Sequence, residues 1–271
     1  MELPERAREI FSEGMIAKFL ATRDPDGGVN VVVVITLQPA PDGRRDRLIF
    51  GEWLMWKSRR NLAERKQVAA AAVNMKLEMV TLTGDFAGFQ TTGPYVDAIN
   101  SSEFLKYNAY TGVRSAGIIE VREVGELARA GYPRVAADLG VLQLRRLFAG
   151  DGCERVIPRM VEARFTSPTS VKALALLGED GYPRIYPTLA VTGGGGDSLL
   201  LRISPYNREL RKADLPARAA LCVLTMKAVS FQVKGQLERA GGKLLRLKVD
   251  QVWNSSPPLA GEPIAGSGLD N

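Results

Sequence analysis

Residues 54–74 read LMWKSRRNLAERKQVAAAAVN: the cations Lys57, Arg59, Arg60, Arg65 and Lys66 crowd into ten positions and run straight into small apolar residues. The pattern predicts a helix over Lys57–Lys66 and a buried strand over Val68–Asn74. Three readings of such a basic segment compete: a solvated helix face, a nucleic-acid patch, or a cradle for one phosphate. Glu64 interrupts the charge, and no series of exposed aromatics is interleaved with it as single-strand binding requires, which argues against nucleic acid. A helix start offers unpaired N–H groups and the positive end of the dipole, and adjacent cations favour a dianion there.

Working outward, the neighbouring segments are strands. MIAKFLATR, the turn DPDGG and the β-branched run VNVVVVITL precede the basic helix, with a Pro/Gly loop QPAPDGRRD and the short strand RLIFGE between. The strand LEMVTLTGDFAGF follows it. Upstream, Leu3–Glu13 predicts a short helix with Pro4 in its first turn and Gly14 ending it.

The same order of elements recurs. LALLGEDGYPRIYPTLAV, SLLLRI, SPYNRELRKADLP, ARAALCVLT and SFQVKGQLE repeat it, with Asp180-Gly181 on Asp26-Gly27 and Gly235 on Gly84. Between the copies come a helix, a polar loop, a long strand and PRVAADLGVLQLRRLFAG, a connector helix. The expected division is 1–130, a helical connector 131–168, a second strand-rich unit 169–253 and a flexible Pro/Gly/Ser-rich tail 254–271.

Composition excludes several chemistries. The 271 residues are 45% hydrophobic and 24% charged, ordinary for a globular chain, with a formal charge of +6 that favours an anionic partner. No histidine occurs, which removes Ser-His-Asp and Cys-His catalysis, histidine-ligated haem and most catalytic zinc sites. Cys153 and Cys222 form no CxxC pair, so no metal site is expected; Cys222, within ARAALCVLTM, reads as a buried small hydrophobe. No apolar run approaches the ~20 residues of a membrane span, and the N-terminus lacks a secretory pattern. The expectation is a cytoplasmic protein with no membrane partner, whose hard chemistry belongs to a cofactor.

A strand, an Asp-Gly turn, an apolar strand, then WKSRRNLAERKQVAAAAVN and a strand ending in LTGDF resembles the pyridoxamine 5'-phosphate oxidase-like, FMN-binding split-barrel superfamily. The resemblance covers about Met15–Val124 well and about Val171–Val252 more weakly. It implies a mainly β fold with short helices, two tandem split β-barrels forming a pseudo-dimer within one chain. It also implies a flavin at their interface, its phosphate met by Lys57, Ser58 and Arg59, with Thr36 near the ring or ribityl chain. Many relatives carry lysine where Ser58 falls and arginine where Asn30 stands; the second repeat has Arg184 at the latter place, so either half or both could hold phosphate. FMN ranks ahead of deazaflavin and FAD, and the absence of histidine argues against haem.

KYNAYTGVRSAG, residues 106–117, is polar and aperiodic, and Tyr107, Asn108, Tyr110 and Arg114 are candidates for lining the substrate or cofactor pocket. Trp53 and Trp56 are candidates for covering a flavin face, while VTGGGGDSL lacks a Gly-Lys-Ser/Thr ending and reads as a hairpin turn. The expected activity is hydride transfer between flavin and a small organic substrate or nicotinamide, with no catalytic side chain assigned. The alternative is a non-catalytic flavin carrier, sensor or store. Further homo-oligomerisation of the pseudo-dimer is compatible with either.

Overall fold

The computed structural model describes residues 1–102, 105, 112–147 and 155–266. A first series of elements comprises α1 (Glu5–Ser12), β1 (Ala17–Arg23), β2 (Val29–Val33), β3 (Gln38–Pro39), β4 (Arg47–Gly51), α2 (Trp56–Glu64), β5 (Gln67–Val73), β6 (Glu78–Gln90), α3 (Pro94–Asn100), β7 (Ala116–Val124) and β8 (Ala128–Arg129). Two helices, α4 (Tyr132–Arg146) and α5 (Arg159–Thr166), lead into a second series. That series comprises β9 (Val171–Leu177), β10 (Pro183–Pro187), β11 (Val191–Gly193), β12 (Ser198–Arg202), a 3-10 helix (Pro205–Lys212), β13 (Ala217–Leu224), β14 (Ser230–Arg239), β15 (Leu244–Asn254) and β16 (Pro263–Gly266).

The strands form two antiparallel sheets of the same connectivity. One runs β2-β1-β5-β6-β7-β4-β3 with β8 on β6, the other β10-β9-β13-β14-β15-β12-β11 with β16 on β15. The fold is mainly β with short helices, two split barrels in tandem. Strand registers fix which residues correspond: Thr22 faces Asn30 and Val68, and Leu176 faces Arg184 and Ala219, so Asn30 and Arg184 occupy the same place in the two sheets. Val68 faces Gly84 as Ala219 faces Gly235.

Both sheets are bulged at that glycine, between Thr83 and Gly84 and between Lys234 and Gly235. A Cβ on Gly84 would come within 2.4 Å of the Glu120 carbonyl oxygen, and one on Gly235 within 1.9 Å of that of Lys248. Only a residue without a side chain lets the backbones approach this closely.

Burial explains the run of alanines. Ala70 and Ala72 of β5 point into the first barrel with Phe11, Leu48 and Phe50, whereas Ala69 and Ala71 join a cluster shared with the second half. There they share a core with Ala173, Ala175, Ala220 and Cys222, while Leu174, Leu176, Leu221 and Val223 point the other way into the second barrel. Small residues at alternate positions let the two sheets pack closely, and both faces of β5, β9 and β13 are therefore apolar. Burial pushes the Cys222 thiol up to about 12. Cys153 lies outside the described residues.

Several elements differ from expectation. β2 ends at Val33, and the chain turns at once, Leu37 N donating to Val34 O at 3.1 Å across a tight turn. The connector contains two helices, because Pro158 starts α5 and Val161 and Phe165 bury one face of it. In the second half the short helix is 3-10, with Asn207 in a non-helical conformation (φ −128°, ψ 33°). Of the segment expected to be a flexible tail, the described residues 254–266 dock: β16 pairs with β15, and Ser230 N donates to Ser256 Oγ at 2.6 Å. VTGGGGDSL connects β11 to β12, which pair antiparallel as a hairpin. Among the described residues, no helix is long and apolar enough to cross a membrane.

Candidate functional site

The helix α2 is pinned to the barrel by one face. Ser58, Asn61 and Leu62 are buried; Leu62 enters the apolar core, Ser58 Oγ accepts from Asn30 Nδ2 at 3.1 Å, and Asn61 Nδ2 donates to Thr22 Oγ1 (2.9 Å) and Asp24 Oδ1 (2.7 Å). Leu54, just ahead of the helix, is held at φ +50°, an uncommon conformation for a branched side chain. Among the described residues no side chain caps the start of α2, and its first turn carries no acidic residue. The N–H groups there keep donor capacity for an external acceptor.

Lys57 projects from that first turn into a cleft between the two halves, its ammonium 4.4 Å from the centroid of the Trp253 ring on β15. The first half lines the cleft with Asn30, Val32–Thr36 and Trp53–Ser58; the second contributes Ser230, Gln232, Trp253 and the descending arm through Pro257 to Gly261. Among the described residues that line it there is no carboxylate. The cleft encloses about 120 Å³ and opens to solvent, so a tricyclic ligand would be only partly enclosed. Gln232 Nε2 donates to Val31 O, tying β14 to β2 across the halves.

Behind Lys57 lies a buried ion pair between Lys234 of β14 and Asp24 beyond β1, each side chain 6% exposed. Burial pulls the Lys234 ammonium down to about 8; Asp24 opposes that shift and neighbouring Lys57 adds to it. Sequence reasoning missed Lys234, Asp24, Gln232 and Trp253. A lysine next to the matched glycine in SFQVKGQLE, where the first half has Thr83, was the available signal.

The predicted residues fall into separate groups. Thr36, Lys57 and Ser58 line the cleft together, Thr36 Oγ1 also accepting from Gly51 N at 3.0 Å. Trp53 and Trp56 are at its mouth, Trp56 being 65% exposed. Arg59 points elsewhere: it pairs with Glu52, stacks 5.0 Å from the Phe89 centroid and is not among the lining residues. Arg114 is exposed and also absent from the cleft lining. Tyr107, Asn108 and Tyr110 lie outside the described residues.

Arg184 belongs to a second cleft of about 700 Å³, formed by β10 and the 3-10 helix against β6, β7 and β8. It is the counterpart of the first cleft with the halves exchanged, but its electrostatics are reversed. Arg184 is paired with Glu123 (2.7 Å) and Asp180 (3.0 Å), Arg208 with Glu126 (2.5 Å) and Lys212 with Glu209 (3.7 Å); with Arg129 set against Glu179 and Asp214, the lining carries more carboxylates than cations. At the start of the 3-10 helix Ser204 N donates to Asn207 Oδ1 at 2.7 Å and Ser204 Oγ to the buried Asp138 carboxylate. Those donors are already satisfied from within the chain.

Among the described residues, no group of three or more His, Cys, Asp or Glu side chains converges to hold a metal ion. No family model matches the chain, and no curated protein matches it. Solved structures similar to it include an FMN-binding protein from Syntrophomonas wolfei subsp. wolfei, at 18% identity over 45% of this chain and 83% of that one, TM-score 0.39. Group A Streptococcus HupZ aligns at 20% identity over 48% of this chain and 99% of that one, TM-score 0.38. The haem storage protein HutZ from Vibrio cholerae aligns at 14% identity over 48% and 98%, TM-score 0.36. Each overlap spans under half of this chain, at identities that carry no information on ligand.

Proposed function

We propose that the chain is an FMN-binding flavoprotein with its cofactor in the Lys57 cleft, acting as an oxidoreductase on a small organic substrate or nicotinamide. The observation that carries this is the pairing of a cation and helix-start donors with an aromatic wall that holds no carboxylate among the described residues. Lys57 and the first turn of α2 suit a phosphate, and the apolar edge of β2 with Trp53, Trp56 and Trp253 suits a planar ring. Ser58, held by Asn30, orients that first turn.

FMN supplies the hydride chemistry when bound. The chain anchors the phosphate, holds the ring between the halves and limits water at the enclosed end, while the open mouth admits a second reactant. The acidic second cleft disfavours a phosphate, so one cofactor per chain is the favoured stoichiometry. A flavin that binds at one equivalent and is reduced by NADH or NADPH supports the oxidoreductase reading. A bound flavin that no nicotinamide reduces and no acceptor reoxidises supports a carrier or store.

A further inference from the structure

Gln232 stands in the wall of the Lys57 cleft with one end of its amide committed and the other free. The β14–β15 register sets it opposite Trp253, the residue whose ring carries the Lys57 ammonium, and both line the cleft. Its Nε2 donates to Val31 O on β2. A backbone carbonyl can only accept, so this contact fixes which end of the amide is the nitrogen. The Oε1 accepts from no donor among the described residues and, unlike the orphaned Asn61 Oδ1, is not sealed from solvent. With the side chain only 1% exposed, the cleft is where that oxygen has its access. A buried carbonyl left unpaired is costly, and a donor on a ligand removes the cost.

Position along the cleft decides which part of a ligand meets it. The cleft follows β2 and the turn after it, from Asn30, which donates to Ser58 Oγ in the first turn of α2, to Thr36, which accepts from Gly51 N. Val31 is next to Asn30 and Trp253 lies against Lys57, so Gln232 stands at the end where the helix start and Lys57 offer their donors. A phosphate dianion has no proton to give to Oε1. The donors of FMN nearest its phosphate are the hydroxyls of the ribityl chain. In the second cleft the matching registers, Cys222 with Gln232 and Ala71 with Thr81, put Thr81 at this place, so the amide occurs on one side only.

We infer that Gln232, contributed by the second half, is the acceptor that reads the polyol chain between ring and phosphate, making the cleft selective for a phosphate carried on a hydroxylated chain. The inference rests on the reading that this cleft takes FMN with its phosphate at Lys57. The two residues divide the ligand: Lys57 senses the anion and Gln232 the hydroxyls. A ligand of the same length without hydroxyls keeps the first contact and leaves the Gln232 carbonyl unpaired.

The test compares FMN with a hydroxyl-free analogue in which a plain pentyl chain joins the same ring to the same phosphate, each titrated by flavin fluorescence. The wild type should bind FMN about tenfold tighter than the analogue, the worth of one hydrogen bond to a buried acceptor. In Gln232→Leu the FMN affinity should fall by about that factor while the analogue's stays within about twofold, so that the preference disappears. Equal binding of the two ligands by the wild type overturns the inference, as does a preference that persists in Gln232→Leu. Gln232→Met, which keeps the length of the side chain, decides in the same way should Gln232→Leu not fold. If neither flavin binds, the FMN reading fails, and ribitol 5-phosphate against pentyl phosphate, followed by phosphorus NMR, then tests Gln232 alone. Tighter binding of ribitol 5-phosphate by the wild type but not by the variant supports it, and equal binding or no binding overturns it.

Discussion

The Lys57 ammonium rests 4.4 Å from the centroid of the Trp253 ring, joining the first turn of α2 to β15 across the two halves. An ammonium over an indole face is stabilised by the ring's negative potential while its remaining N–H donors stay available. The cleft therefore exists only when both barrels are folded against each other.

Lys57→Ala should weaken FMN binding about 10- to 100-fold while changing riboflavin affinity by less than about threefold, since a hydrogen bond to a charged group is worth roughly 1.5–3 kcal/mol. Arg59→Ala should cost much less FMN affinity, because Arg59 is committed to Glu52 and Phe89. Equilibrium titration of each variant with both flavins checks this, and equal losses for the two would contradict the placement of the phosphate.

Arg184→Ala should leave FMN affinity and stoichiometry unchanged. Its ion pairs are partly exposed and worth at most about 1 kcal/mol, so the urea midpoint should shift only slightly. A marked loss of FMN affinity would move the phosphate to the second cleft.

Gly235→Ala should destabilise the protein by about 3 kcal/mol or more, because the new methyl group meets the backbone carbonyl of Lys248, which cannot swing aside as a side chain does. Gly84→Ala should act in the same direction against Glu120. Urea unfolding measures both, and a loss below about 1 kcal/mol would show that the bulges relax freely.

Stability should rise with pH above neutrality. Lys172 is fully buried, its Nζ donating to Ser167 O at 2.7 Å and Leu189 O at 3.3 Å, and burial pulls its ammonium down to about 7. The unfolded chain binds the proton more tightly, so the penalty is fully present below about 7 and is relieved as pH rises toward the unfolded value of 10.5. Lys18 and Lys234, both pulled down to about 8 by burial, act in the same sense. Urea midpoints should increase from pH 6.5 to 9, less steeply in Lys172→Met; an unchanged slope in that variant would contradict the assignment.

The tandem organisation was legible because the two halves repeat local signals: an Asp-Gly turn, a small-residue strand and a glycine at the bulge. That Lys57 and Ser58 begin a helix and Thr36 follows a strand end was also legible, since these are local properties; the structure brings the three to one cleft. Trp253, which lines the cleft, and the Lys234–Asp24 pair behind it were not, because they come from segments far apart in the chain and only cross-half packing brings them near Lys57. Arg59 looked equivalent to Lys57 in sequence, but two positions along a helix turn a side chain to another face, toward Glu52 and Phe89. Docking of the expected tail depended likewise on the edge that β15 presents to β16, which no local composition encodes.

The central claim is that the Lys57 cleft holds one FMN through its phosphate. Titration of the freshly purified, flavin-depleted chain with FMN, followed by visible absorbance, tests it most directly. The account predicts saturation at one equivalent, with perturbed flavin bands and binding at least tenfold weaker in Lys57→Ala. Absence of FMN binding, or saturable binding indifferent to Lys57, would contradict it.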